Sequence, residues 1–312
     1  MTFPEAIRQE TERLCSSENI AALEQTARKI SEGYRSDNAH RTIGGEREIL
    51  AYAAARMPAT FGAVSRALKL SLECFGGEIR SIADYGAGTG AGIIAAALLT
   101  ECGELFAYEQ EPNMLKLGKR FCENTDIPVK WESCDITRNL PDRKTDLAIC
   151  AYCLNELPEA ARQKTLASLA ASADKLLIVE PGTPASFAQM KKLRSALVEL
   201  GFSIAAPCPH SGECPLPEDD WCHFSERVQR SALHKRLKGG DAPYEDEKFC
   251  FLAAEKSPSP CSARVLRKPI IQAGRITLTL CTESGVETRI VTKSNPQFKK
   301  ARKAEVGDGF PT

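Results

Sequence analysis

Three cysteines, Cys208, Cys214 and Cys222, fall inside one short polar stretch, PCPHSGECPLPEDDWCHF, and a fourth, Cys250, returns in FCFLAA. Thiols gathered in this way are the ligand set of a metal site. The spacing C-x5-C-x7-C-x27-C is not the paired C-x2-C knuckle of zinc ribbons. The prolines and acids between the thiols can form neither a helix nor a packed core segment, so something other than apolar burial has to hold the loop. Four thiolates satisfy zinc or an iron–sulfur cluster. His210 and His223 adjoin two of the cysteines and can replace one on zinc, while Trp221 and Phe224 would shield the site.

A second constellation is DYGAGTGAG, from Asp84 to Gly92, followed by the apolar run IIAAALL. Gly86, Gly88 and Gly90 let the backbone turn sharply and approach a ligand, and the helix that follows presents its first N–H groups. Glu109 ends FAYE, where a carboxylate can accept both hydroxyl hydrogens of a ribose, and Asp135 follows in ESCDIT. An acid before the glycine turn and acids after the next two strands resemble the class I S-adenosylmethionine-dependent methyltransferases. That resemblance assigns Asp84, Glu109 and Asp135 to the methionine end, the ribose and the adenine. A nicotinamide-binding Rossmann domain is the competitor, and the GxGxG spacing fits it less well. By the same resemblance Asn155 and Glu156, in CAYCLNELPE, line the top of the site. No D/N-P-P-Y/F signature and no Pro-Cys follows that strand, and the sequence names no general base. Cys150 and Cys153 read as a buried strand end; the scattered Cys15, Cys74, Cys102, Cys122, Cys134, Cys261 and Cys281 read as small hydrophobes.

The elements that must position these residues follow from periodicity. Up to residue 76 the pattern is helical, over Phe3–Gly33, Ile43–Met57 and Pro58–Phe75. From 77 to 256 strands at 79–84, 104–109, 128–133, 145–150 and 174–180 alternate with helices near 90–101, 112–123, 159–172 and 184–200. That alternation predicts an α/β fold, a mostly parallel sheet with helices on both faces. FSIAAP (202–207) and KFCFLAA (248–254) add two strands, with the cysteine segment 207–250 inserted between them. EKSPSPCSA (255–263) reads as a linker. Beyond it, residues 262–312 alternate as strands around an ESG hairpin turn, a small β-barrel or open sheet. In class I methyltransferases the last two strands pair antiparallel at one side of the sheet. Cys208 and Cys250 then meet at one sheet edge, with Cys214 and Cys222 in the loop between.

Thirteen cysteines in 312 residues would suggest disulfides in a small secreted domain. The amino terminus, MTFPEAIRQETERLC, has no apolar h-region and reads as neither a secretory nor a transit segment. No apolar run reaches membrane-spanning length. The expectation is a cytoplasmic chain with reduced thiols and no membrane partner. Net charge is zero, yet between Arg264 and Lys303 ten Lys or Arg face only Glu283 and Glu287, a net of +8. A basic carboxy-terminal piece on an acidic body suits a polyanion. SERVQRSALHKRLKGG, just past Cys222, reads as a basic helix. The candidate RNA contacts are Arg227, Arg230 and Lys235 there, with Lys299, Lys300 and Arg302 in the tail.

RMPATF, DYGAGTGAG, LNELP, PCPHSGECPL, DWCHFSERVQR, KGGDAPYEDEKF and the VTKSN-containing tail together resemble the methyltransferase-like assembly factors of the mitochondrial small ribosomal subunit and their bacterial relatives. The resemblance implies an S-adenosylmethionine-type domain, association with the small ribosomal subunit or its rRNA, and a [4Fe–4S] cluster on Cys208, Cys214, Cys222 and Cys250. It is family membership, and not composition, that favours iron–sulfur over zinc. With no transit segment read at the amino terminus, a bacterial member is expected. Transfer of a methyl group to rRNA and a non-catalytic assembly or translation role are both compatible with the resemblance, and a zinc-stabilised small-molecule methyltransferase is the third reading.

Overall fold

The computed structural model describes residues 1–33, 44–256 and 263–311. The first residue of the helix expected from Ile43, and residues 257–262 of the expected linker, lie outside the described residues. The amino-terminal part is helical: α1 (Glu5–Cys15), α2 (Ile20–Gly33), α3 (Glu46–Ala55) and α4 (Met57–Leu72). Pro58 sits in the first turn of α4, where its missing N–H costs nothing. Met57, Phe61, Val64, Leu68 and Leu70 of α4 are fully buried in the same core as the sheet behind them.

The strand and helix alternation then runs β1 (Ser81–Tyr85), α5 (Ala91–Leu99), β2 (Glu104–Glu109), α6 (Pro112–Glu123), β3 (Val129–Ser133), β4 (Thr145–Ala151), α7 (Glu159–Ser172), β5 (Ala173–Pro181) and α8 (Pro184–Glu199). Caps written in the sequence start two of these helices. Glu111 accepts from the Asn113 N–H ahead of α6, and Thr183 accepts from the Ser186 N–H ahead of α8, each with proline in the first turn. After β6 (Ser203–Ala206) come β7 (Phe224–Gln229), α9 (Ala232–Lys238) and β8 (Tyr244–Glu255).

The eight strands form one mixed sheet in the order β3-β2-β1-β4-β5-β8-β6, with β7 paired to β8. Strands β1 to β5 are parallel, and β8 runs antiparallel to β5, β6 and β7. This is the α/β, class I methyltransferase-like arrangement. One departure from the sequence reading is β7: SERVQ belongs to a strand and not to a basic helix. Its Phe224 and Val228 are buried while Ser225, Arg227 and Gln229 are exposed, a two-residue alternation that the apolar face of β8 completes.

The carboxy-terminal part contains β9 (Ala263–Val265), β10 (Ile270–Gln272), β11 (Arg275–Thr282), β12 (Gly285–Thr292), α10 (Phe298–Lys303) and β13 (Gly309–Phe310). Its sheet has the order β10-β11-β9-β13, with β12 paired to β11, around its own apolar cluster of Val265, Ile276, Leu278, Leu280, Val291 and Phe310. Arg264 fastens this sheet to the main body from a buried position. Its Nε donates to the Pro207 carbonyl (2.9 Å), its Nη1 to the Gly307 carbonyl (2.9 Å) and its Nη2 to the Cys74 sulfur (3.3 Å).

Candidate functional site

The glycine turn joins the end of β1 to α5. Gly86, Gly88 and Gly90 have φ of 73°, 56° and 93°, the left-handed region that L side chains avoid. At Gly86 a Cβ would also lie 2.4 Å from the Cys153 sulfur, so the turn touches the segment that follows β4. Asp84 is buried, and its Oδ2 accepts from the Ile93 N–H at 2.8 Å, tying the strand end to the first turn of α5. Burial pushes its pKa up to about 7, against the Ile93 hydrogen bond and with help from Glu109. Glu109 braces the turn: its Oε2 accepts from the Gly88 N–H (2.8 Å) and its Oε1 from the Glu111 N–H (2.7 Å). Each oxygen keeps acceptor capacity for a ligand.

Asp135 is turned onto its own loop. Its Oδ1 accepts from the Thr137 N–H (3.0 Å) and hydroxyl (2.6 Å), and Arg138 pairs with it at 3.1 Å. Asn155 lies in the 3-10 turn Leu154–Glu156. Its amide donates to the Ser186 hydroxyl at 2.7 Å, leaving Oδ1 buried and without a partner among the described residues.

Two residues at this edge, Glu180 and Tyr152, escaped the sequence reading, whereas Glu156 beside them was expected to line the site. Glu180, near the end of β5, accepts from the Leu154 and Asn155 N–H groups through Oε1 (2.9 and 3.2 Å), while Oε2 is buried without a partner. Burial pushes its pKa up to about 8. An acid at the carboxyl end of a buried strand, the signal that identified Asp84 and Glu109, would also have found Glu180 in KLLIVEP. Tyr152 has φ of 58°, a strained conformation for an aromatic residue. Its hydroxyl donates to Glu247 Oε1 at 3.1 Å, and Arg56 reaches the same oxygen at 3.3 Å. Glu156 stands close enough to add to the burial that pushes Glu180 up, and burial, with Glu109 adding, pushes its own pKa up to about 7. Asp84, Glu109, Glu156 and Glu180 thus make a crevice of desolvated carboxyls, an environment that favours a cation.

The expected thiols come together beside this crevice. Cys208, Cys214, Cys222 and Cys250 line one apolar cavity, and so does a fifth, Cys281 of β11. Cys281, read from the sequence as a scattered small hydrophobe, is buried as expected but stands beside the other four thiols. Its strand pairs with β9, opposite Arg264, and that docking carries the thiol across from the carboxy-terminal sheet. Burial pushes the Cys222 thiol well up, and Cys208, Cys214, Cys281 and Cys250 add to the push in that order. The Cys250 sulfur instead donates to the Pro181 carbonyl at 3.4 Å and has Glu180 opposite it in the sheet register. Among the described residues no three His, Cys, Asp or Glu side chains gather tightly enough to hold a single metal ion. His210 Nε2 lies 4.0 Å from the Cys281 sulfur, and His223 stacks on Trp221.

The candidate RNA contacts divide in two. Arg227, on β7, is paired with Asp246 at 2.8 Å, and Arg230 is turned onto the Gly239 carbonyl at 3.0 Å. On α9 His234 is buried, Arg236 pairs with Glu24 and Lys238 with Glu245, which leaves Lys235. The short α10 behaves differently: Ala301 faces the core and Lys299, Lys300, Arg302 and Lys303 are exposed. Of the basic residues counted in the tail, Arg264 is buried and Arg267 is bound to Asp220.

The sequence model of the family described as mitochondrial small ribosomal subunit Rsm22 matches residues 46–311. A curated relative, "Rsm22-cox11 tandem protein 2, mitochondrial" of Schizosaccharomyces pombe, is 23% identical over 325 residues, covering 85% of this chain and 43% of the relative. The chain thus spans less than half of that relative's length. Among solved structures, the N-methyltransferase NodS of Bradyrhizobium japonicum WM9, in complex with S-adenosyl-L-homocysteine, is 14% identical with a TM-score of 0.46. That match covers 70% of this chain and 98% of NodS. The magnesium protoporphyrin IX methyltransferase of Synechocystis PCC 6803 is 14% identical with a TM-score of 0.43, over 74% of this chain and 100% of the enzyme. The cytoplasmic location expected from the amino terminus is overturned, since the matched family is that of a mitochondrial small-subunit protein and the curated relative is mitochondrial.

Proposed function

The chain belongs to the mitochondrial small ribosomal subunit Rsm22 family, and from that premise we propose that it is an rRNA-binding protein of the small subunit that holds S-adenosylmethionine and transfers its methyl group to rRNA. The observation that carries the cofactor assignment is the carboxyl crevice around the glycine turn. S-adenosylmethionine brings a sulfonium and an ammonium, and four desolvated carboxyls, of which Glu180 alone has a cation, Arg162, acting on it among the described residues, are stabilised by such a ligand. Glu109 would take the ribose hydroxyls with the acceptor capacity its two backbone bonds leave, and Glu180 and Asn155 would use their partnerless oxygens. Asp135 contributes by shaping the loop beside the adenine. Glu156, pushed up to about 7, lies in the range suited to taking a proton from an acceptor nitrogen.

The thiol cavity is read as the seat of a [4Fe–4S] cluster. A single zinc ion draws sulfurs to about 2.3 Å, whereas a cluster several atoms across keeps its thiolates spread around a cavity, as these are. Cys208, Cys214 and Cys222 would supply three ligands. Cys281 would supply the fourth in preference to Cys250, whose sulfur is already committed to Pro181 and faces a carboxyl. When bound, the group would supply a rigid cross-link between the loop after β6 and the carboxy-terminal sheet. Lys299, Lys300, Arg302 and Lys235 are the contacts for RNA phosphates.

The test is incorporation of labelled methyl from S-adenosylmethionine into immature small-subunit rRNA, run beside calorimetry of cofactor binding. Incorporation that Glu156→Gln removes, with binding retained, is the expected result. Cofactor binding with no incorporation overturns the enzymatic reading and leaves an assembly factor. Zinc without sulfide in the anaerobically purified protein overturns the cluster.

A further inference from the structure

The wall of the thiol cavity also contains a buried cation. Arg194 of α8 is 6% exposed and lines the cavity beside Cys208. Its Nη2 donates to the His210 carbonyl at 2.8 Å and lies 3.5 Å from His210 Nδ1, and its guanidinium hydrogen-bonds the Cys208 thiol. Its Nε is buried and has no partner, and among the described residues no carboxylate pairs with it. A guanidinium does not lose its proton in a protein, and a buried charge without a counter-charge is costly. No carboxylate lines the cavity, whose other groups are thiols, apolar side chains and the less buried Lys191. The cavity as formed by the chain alone therefore carries an uncompensated positive charge.

We propose that Arg194 is the built-in counter-charge of the thiol-bound group and, by donating to the Cys208 sulfur, a positioning residue that raises its reduction potential. The proposal rests on the iron–sulfur reading above. Four thiolates outweigh the positive charge of an iron–sulfur core, so the bound group is an anion. One-electron reduction makes it more anionic without making or breaking a bond. Net charge, hydrogen bonds to sulfur and exclusion of solvent are the protein's means of setting such a potential. Arg194 supplies the first two, and the apolar lining of Phe187, Met190, Phe251 and Leu266 supplies the third. In a low-dielectric wall the cation favours the reduced form over the oxidised one. His210 extends the same arrangement, since its carbonyl holds Arg194 and its ring reaches towards Cys281.

The experiment is a reductive titration of the anaerobically purified full chain with dithionite and mediators, read by electron paramagnetic resonance, for the wild type, Arg194→Gln and Arg194→Lys. Iron and sulfide are measured on each sample. Arg194→Gln is expected to keep iron and sulfide but to be about tenfold harder to reduce, roughly 59 mV lower for one electron. Arg194→Lys, which keeps the charge, is expected to stay near the wild type. An unchanged potential in a fully loaded Arg194→Gln protein overturns the proposal while leaving the cluster standing. Zinc, or iron without sulfide, in the wild type overturns both. If Arg194→Gln loses its iron, retention by Arg194→Lys supports the counter-charge role, and loss by both variants assigns Arg194 to the shape of the loop alone.

Discussion

The carboxyl crevice and the thiol cavity meet where Glu180 of β5 stands opposite Cys250 of β8, yet they are built on opposite charge. In the crevice Asp84, Glu109, Glu156 and Glu180 are crowded and desolvated, and each is pushed up because burial disfavours its charged form. In the cavity the buried charge is the guanidinium of Arg194, and the groups around it are thiols and apolar side chains with no carboxylate among them. A desolvated site announces its ligand by the charge it leaves uncompensated. By that rule the crevice calls for a cation and the cavity for an anion. The two also differ in how they are assembled. The crevice draws on consecutive strand ends of one sheet, whereas the cavity is closed only when the carboxy-terminal sheet docks and delivers Cys281 and Leu266.

The largest expected effect separates the thiols from one another. Cys222→Ser and Cys281→Ser should each abolish iron and sulfide binding and loosen the carboxy-terminal sheet, seen as lost hydrogen-exchange protection in β9 and β11. Cys250→Ser should keep the metal and cost only about 1–3 kcal/mol in chemical denaturation, the price of a buried hydroxyl. Metal loss in Cys250→Ser with retention in Cys281→Ser would reverse the assignment of the fourth ligand. None of these three should weaken S-adenosylmethionine binding by more than a few-fold if the sites are separately built.

Next in size is the converse experiment on the crevice. A Cβ at Gly92 would lie 2.5 Å from Asp84 Oδ2 and 3.0 Å from its Cγ, so Gly92→Ala must displace the carboxylate that anchors α5. Calorimetry should then show S-adenosylmethionine affinity down by more than tenfold, with metal content unchanged. Glu109→Gln, which keeps the shape but weakens the hold on Gly88 and Glu111, should fall between this variant and the wild type.

How far the two sites could be read from the sequence follows the same division. Strand ends and the glycine turn are local patterns. The glycine turn after β1, the end of β2 at Glu109 and the two helices that begin at Pro112 and Pro184 lie where periodicity put them. Cys281 and Arg194 were invisible because nothing within a few residues of either marks it. One sits in an ordinary alternating strand and the other on the face of an ordinary helix, and only long-range docking brings them to Cys208. The reading of β7 failed for a related reason. FSERVQ is short and charged, and only the facing strand β8 makes its alternation count for more than its helix-compatible residues. Nor does the sequence show that Asp246, Glu24 and Glu245 await Arg227, Arg236 and Lys238.

The smallest expected effect is a pH dependence that belongs to the crevice alone. Asp84 and Glu156 are pushed up to about 7 and Glu180 to about 8, in each case chiefly by burial. In the unfolded chain these carboxyls lose their protons near pH 4. Between that point and pH 7–8 the native protein holds more protons than the unfolded one, so stability falls as pH rises. Below the unfolded range the contribution is fully present, and beyond pH 8 it is gone. The ligand-free protein should therefore lose stability, on the order of a few kcal/mol, between pH 5 and pH 8, and Glu180→Gln should flatten the fall. Ionised carboxylates suit a sulfonium, so S-adenosylmethionine should bind more tightly over the same interval and restore what is lost. S-adenosylhomocysteine, which lacks that charge, should do so less. The thiols of Cys208, Cys222, Cys250 and Cys281, all pushed up by burial, should add nothing to either curve. Thermal unfolding from pH 5 to 8, with each ligand and without, checks this. A ligand-free stability that climbs with pH would mean that the crevice acids are already paired and that the contrast between the two sites is wrong.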